Sequence, residues 1–291
     1  MQTLRPYQID AENAIRDRFR AGYRRVLYVL PTGGGKTTVA ASIMRQASAR
    51  GSKILFLAHR KELIDQCSQR LDGLSVEHGV IMADHPRVRA AGVQVGSIQT
   101  VARRGLPWVP DLVFVDECHR IKGQQYLDVL ASMPKALVIG ITATPCRLDG
   151  KGLAPPFDTM VLGPSLKQLT DMGHLVPVRT FARKKPDLSG VHASAGDYQQ
   201  DELQAAMNKP EICGDVVREW QKHATGRITA VFGVGVEHSI ALRDAFRAAG
   251  VSAEHLDGST PRAERERLLA DLAAGRITVL TNCGVLSEGW D

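Results

Sequence analysis

The sequence predicts an α/β chain of two tandem domains with parallel sheets, the second of them incomplete. Its 291 residues are about twice the usual single-domain length. Short β-branched runs, apolar at consecutive rather than alternate positions, recur between helical patterns, as expected of parallel strands covered on both faces. A Pro- and Gly-rich stretch, KGLAPPFDTMVLGPS, then breaks the rhythm between about Gly150 and Arg179. This seam divides the chain into domains 1–178 and 179–291.

In the first domain Val26–Leu30, Ile54–Ala58, Val93–Ile98, Leu112–Val115 and Leu137–Ile141 read as strands, and Thr37–Ala49 and Lys61–Leu71 as helices. Ligands are expected at the carboxyl ends of such strands. Asp187–Gln200 is polar and expected to be irregular. The second domain then alternates helix Glu211–His223, strand Ile228–Gly233, helix Glu237–Ala249, strand Ser252–Leu256, helix Arg262–Ala273 and strand Ile277–Thr281.

Composition excludes several classes. With 44% hydrophobic and 23% charged residues, the chain can bury real cores and is not disordered. The formal charge is +6, and residues 1–178 carry 23 basic against 15 acidic side chains, while the rest carry 14 and 16. The basic excess therefore sits in the first half, which suits a polyanionic partner there. The five cysteines, 67, 118, 146, 213 and 283, form no Cys-x-x-Cys pair, which speaks against a disulfide framework or zinc site. The first residues lack the layout of a signal peptide, and no run approaches a membrane span. A soluble, cytoplasmic protein is expected.

The strongest local signal is Leu30-Pro31-Thr32-Gly33-Gly34-Gly35-Lys36-Thr37, followed by Thr38, between an expected strand and helix. Three glycines let the backbone amides converge on an anion at a helix N-terminus. Lys36 would meet the β- and γ-phosphates of ATP and Thr37 would ligate Mg²⁺. Where the strict consensus wants a glycine, Leu30 stands instead. Downstream, the apolar run Leu112–Val115 ends in Asp116 and Glu117. Adjacent acids at a strand end point to different faces, so Asp116 can hold Mg²⁺ while Glu117 polarises the attacking water.

Asp116-Glu117-Cys118-His119 with this loop resembles the superfamily 2 helicases, in a branch with restriction-enzyme motor subunits and RadD-type repair helicases. That resemblance implies two RecA-like lobes with ATP between them. Leu4-Arg5-Pro6-Tyr7-Gln8 resembles the adenine-reading element, with Gln8 on the base edge and Arg5 near it. Ala58–Gln66 resembles motif Ia, with His59 and Arg60 on the nucleic-acid backbone. Gly96–Thr100 resembles motif Ib, where Ser97, Gln99 and Thr100 would do the same. Thr142-Ala143-Thr144-Pro145 resembles motif III, coupled to the ATP site with the help of His119, and Arg147–Gly150 is the extension typical of the branch. In the second domain Val231–Ser239 resembles motif IV, and Asp257–Pro261 a nucleic-acid-contacting element through Gly258 and Thr260. Thr281–Asp291 resembles motif V, with Thr281 on a phosphate and Gly289 and Asp291 near the nucleotide.

Motif VI, which supplies arginine fingers worth about 10³–10⁵ in rate, would lie beyond Asp291. The expectation is therefore a chain truncated after motif V. It would be an ATP-driven motor on DNA, RNA being the less favoured track, held mainly by phosphate contacts. The alternative is a catalytically weak ATP- and nucleic-acid-binding fragment that does not move. A small-molecule phosphotransferase is disfavoured by the second α/β domain, and no nuclease motif is visible. With 5% aromatic residues, base stacking is expected to contribute little. Arg16, Arg20 and Arg24 recur every four positions and read as a solvated helix face, whereas Arg103-Arg104 is the better nucleic-acid candidate. His59, His78, His85 and His255 lack ligand spacing.

Overall fold

A computed structural model describes residues 3–83, 85, 90–120, 124–145, 156–181, 188–194 and 197–286. The chain forms two compact units, Met1–Arg179 and Thr180–Asp291. In the first, Pro6 opens α1 (Pro6–Arg20), where its fixed φ suits a first helical turn and its missing N–H costs nothing. There follow β1 (Arg25–Val29), α2 (Lys36–Ser48), β2 (Ile54–Ala58), α3 (Lys61–Gly73), β3 (Gly79–Ile81), β4 (Val93–Ser97) and α4 (Ile98–Arg104). Then come β5 (Leu112–Val115), α5 (Gln124–Ala131), β6 (Leu137–Thr142), β7 (Thr159–Leu162) and α6 (Leu166–Asp171).

The seven strands run parallel in the order β3-β4-β2-β5-β6-β1-β7. Alternate residues of each central strand feed opposite layers. Ile54, Phe56 and Ala58 join a core with Ile15, Met44 and Ile64 of α1, α2 and α3. Leu55 and Leu57 join the other, with Val101 of α4 and Val129 of α5. A strand packed on both faces must be apolar at every position, which is why β2 is buried throughout. The expected α/β class with parallel sheets is borne out.

Two expectations are corrected. The seam between 150 and 179 is not a plain connector: Thr159–Leu162 pairs with β1 as an edge strand, and Leu166–Asp171 is helical. Only Val161 of this strand is buried, while Met160 and Leu162 are exposed, and the apolar run Met160–Leu162 is three residues long amid Pro and Gly, too short to stand out as a strand. Arg24 does not share a helix face with Arg16 and Arg20, because α1 ends at Arg20. Its guanidinium instead donates to the Lys135 carbonyl.

In the second unit, the stretch expected to be irregular holds a short antiparallel pair, β8 (Ala193–Ser194) with β9 (Asp197–Tyr198), and the start of α7 (Gln200–Met207). Then come α8 (Pro210–His223), β10 (Thr229–Phe232), α9 (Val236–Ala248), β11 (Ala253–Leu256), α10 (Arg262–Ala273) and β12 (Val279–Asn282). Its parallel sheet has the order β10-β12-β11 among the described residues. Phe246 anchors one face, with Trp220 edge-on at 5.5 Å. Among the described residues no helix is long and apolar enough to cross a membrane.

Candidate nucleotide and nucleic-acid sites

The glycine-rich loop leaves β1 and ends at Gly35, whose φ of +89° and ψ of +38° form the left-handed cap from which α2 starts. An L side chain there would carry the strain that glycine avoids. Leu30, which replaces a consensus glycine, is fully buried beneath the loop, and a Cβ at Gly34 would lie 2.7 Å from its Cγ. The bulky residue thus makes Gly34 obligatory.

α1 clamps this loop. Tyr7 Oη donates to the Gly34 carbonyl at 2.7 Å, and Gln8 Nε2 donates to the same oxygen at 3.1 Å. Gln8 Oε1 accepts the Arg5 amide at 2.9 Å, and Arg5 Nη1 donates to Tyr7 Oη at 3.2 Å. Expected to read a base edge, Gln8 is only 4% exposed and has both ends of its amide engaged. In this structure its amide bridges the start of α1 and the glycine-rich loop. Tyr7 has no role of its own in the sequence reading; Pro6, by fixing where the helix starts, is the signal that sets Tyr7 and Gln8 against the loop. Thr32 is exposed, and Thr37 and Thr38 lie half-buried in the first turn of α2.

The acidic pair sits at the carboxyl end of β5. Asp116 is buried, its amide bonded to the Leu57 carbonyl at 2.9 Å and its Oδ1 accepting the Glu117 amide at 3.0 Å. Glu117 adopts a left-handed φ of +46°, which swings its carboxylate away from the strand direction. There Glu117 Oε1 lies 4.0 Å from Lys36 Nζ and Oε2 lies 3.2 Å from His119 Nδ1. His119 Nδ1 also meets Thr142 Oγ1 at 3.0 Å. That hydroxyl donates to the Thr144 carbonyl and accepts the Thr144 amide, at 2.9 and 3.1 Å. With its own proton committed to Thr144, Thr142 must accept from His119, which fixes the proton on Nδ1. Lys36, Glu117, His119, Thr142 and Thr144 therefore form one connected chain across β1, β5 and β6, with β6 between the other two. Neighbouring Cys118 is inert, since burial and the charges of Asp116 and Glu117 push its thiol well up.

The residues expected to touch nucleic acid fare unequally. His59 and Arg60 are half-buried where β2 passes into α3. Ser97 and Thr100 are buried and spend their polar groups on each other: Ser97 Oγ caps α4 by accepting the Thr100 amide at 3.3 Å, and it donates to Gln99 Oε1 at 2.9 Å. Gln99 alone of the three is exposed. In the second unit Gly258 is exposed, while Thr260 Oγ1 accepts the Asp257 amide at 2.9 Å.

Thr281 is corrected: it is 0% exposed, and its hydroxyl points to the Glu254 carbonyl at 3.4 Å. β12 is the central strand of its sheet among the described residues, and Thr281 sits next to its carboxyl end with its hydroxyl turned inward. His255, dismissed on spacing, bridges Ser239 Oγ at 2.9 Å through Nδ1 and Asp257 Oδ2 at 3.3 Å through Nε2. The signal was His255-x-Asp257, which sets an acid just past the end of β11 two residues from a histidine on it. Ser259 donors, helped by His255, hold the Asp257 carboxyl down at about 2. Gly289 and Asp291 lie outside the described residues, as does the Arg147–Gly150 extension.

The family described as the type III restriction enzyme res subunit matches residues 1–147. The chain belongs to this family. That family lies in the restriction-motor branch of the superfamily 2 helicases. Its relatives include a 51.5 kDa protein of a Lactococcus phage, 34% identical over 90% of this chain and 55% of that one. A putative mitochondrial ATP-dependent helicase, irc3 of Schizosaccharomyces pombe, is 32% identical over 99% of this chain and 50% of its own. This restriction-motor chain thus spans about half the length of the curated relatives it matches. A solved structure of the ATP-dependent type ISP restriction-modification enzyme LlaBIII bound to DNA shares its fold, with a TM-score of 0.66 and 15% identity over 100% of this chain and 25% of that one.

Proposed function

We propose that this chain is the motor core of an ATP-dependent DNA translocase or helicase. The observation that carries the reading is the chain from Lys36 through Glu117 and His119 to Thr142 and Thr144, at the carboxyl ends of adjacent parallel strands. Its polar groups converge where α/β sheets bind ligands. The residues fit a magnesium triphosphate. Gly33 and Gly35, at φ +77° and +89°, hold a loop conformation that L side chains rarely adopt.

The amides of Gly33, Gly35 and Lys36 and the Lys36 ammonium would hold the phosphates, with Thr37 and Asp116 taking the Mg²⁺, an ion that keeps most of its waters and needs few protein ligands. ATP would supply the anhydride whose cleavage drives the cycle. Glu117 is the base that takes the proton from the attacking water, and its contact with His119 passes the state of that carboxylate to Thr142 and Thr144. Arg60, Gln99 and the exposed turn at Gly258 are the backbone-contacting groups. DNA is favoured as the track by the basic excess of the first half, and a restriction-modification enzyme that shares the fold is described as bound to DNA.

The test is nucleotide turnover by the purified chain with and without DNA. Lys36→Ala should lose nucleotide binding, and Glu117→Gln should keep binding while losing turnover. Turnover that survives both substitutions, or that rises with a metabolite and ignores DNA, would overturn the proposal.

A further inference from the structure

Away from the nucleotide site, the first unit carries a groove of about 1020 Å³ between α4, the segment 105–110 and α5. Gln99, Arg103, Trp108, Val109, Gln125 and Asp128 are among its lining. Gly105, at φ +71°, turns the chain sharply out of α4. Leu106 then packs into the core layer of α4 and α5, and Pro107 and Pro110 flank Trp108 and stiffen the segment. Trp108 is consequently a half-buried ring on a rigid support beside open space, while Val109 is 65% exposed. A side chain so held loses little entropy when something stacks on it.

One cation, Arg103, and one carboxylate, Asp128, line the groove, and Arg104 stands next to Arg103 outside the lining. Arg103 and Arg104 close the last turn of α4, both exposed and neither in an ion pair among the described residues. Gln99, the exposed member of its motif, stands one helical turn before Arg103. On α5, the exposed Gln125 offers an amide suited to base edges. An aromatic face flanked by free cations and amide groups is the combination that binds unpaired strands.

We propose that this groove is a stacking site for an unpaired nucleobase, with Trp108 as the platform and Arg103 and Arg104 holding the adjoining phosphates. The inference rests on the nucleic-acid reading above and makes it specific: the strand lying here is single. It also localises stacking to one ring in a chain poor in aromatics. Bases inside a duplex present no free face and cannot use the site.

The test is fluorescence anisotropy with the whole chain and three probes: an oligothymidylate, an abasic deoxyribose-phosphate strand of equal length, and a blunt duplex. Stacking is worth about 1–3 kcal/mol per base, so Trp108→Ala should weaken oligothymidylate binding about 5- to 150-fold. Trp108→Phe, which keeps a ring, should retain most of the affinity and guards against misfolding. The abasic strand should bind wild type and Trp108→Ala alike. The salt dependence of oligothymidylate binding should be unchanged in Trp108→Ala but shallower by about 0.7 per lost phosphate contact in Arg103→Ala. Equal losses on all three probes, or none on oligothymidylate, would overturn the stacking site while leaving the nucleic-acid reading standing. Failure of the wild type to bind any probe would remove both.

Discussion

Replacing Gly35 by alanine probes the clamp between α1 and the phosphate loop. A Cβ at this position would lie 2.4 Å from Gln8 Nε2, well inside contact distance. Gln8 cannot step aside freely, because it is 4% exposed and bonded to both the Arg5 amide and the Gly34 carbonyl. Holding an L residue at a φ of +89° costs about 1–2 kcal/mol. Displacing the Gln8 amide costs about 0.5–1.5 kcal/mol more. The Gly34 carbonyl keeps its Tyr7 bond, so no penalty for a stranded acceptor is added. Together these give about 1.5–3.5 kcal/mol against the loop conformation that would hold the phosphates, or about 10- to 400-fold weaker ATP binding by titration with a fluorescent analogue. Gln8→Ala removes the obstruction but not the backbone strain. In a double-mutant cycle the pair should therefore cost about 1 kcal/mol less than the sum of the singles. Strict additivity, or wild-type affinity in Gly35→Ala, would refute the clamp.

Two further outcomes are expected. Thr281→Val should lower thermal stability by about 1 kcal/mol, the worth of one buried hydrogen bond, and leave DNA affinity unchanged; weaker DNA binding at unaltered stability would restore the phosphate contact that its inward-turned hydroxyl speaks against. Asp257 gives a pH signature: its folded carboxyl sits at about 2 against an ordinary 3.8, so its stabilisation is complete above about 4 and lost as the pH falls toward 2. The melting-temperature gap between wild type and Asp257→Asn should close over that range, and a gap independent of pH would count against the Ser259 and His255 contacts.

Much of the fold was legible because local rules and tertiary demands coincide. β2, buried on both faces, is apolar at every position, and its bounds Ile54–Ala58 read directly from the sequence. The glycine-rich loop was legible for the same reason: a left-handed cap and a crowded backbone leave glycine no substitute at Gly34 and Gly35. The edge strand Thr159–Leu162 was not, since it buries a single residue among Pro and Gly.

By itself, then, the sequence determined which chemistry-bearing groups exist, the alternation that makes parallel sheets, and the spots where only glycine fits. Tertiary structure alone decided which of those groups face outward. Thr281 and Gln99 look equally suited to a phosphate on paper, yet one lies on a central strand and the other on an open helix face. Gln8 has the donors to read a base, but the Gly34 carbonyl, brought against it by the packing of α1 on the loop, takes one of them. Burial depends on neighbours far away in the chain, and that is information no short stretch of sequence contains.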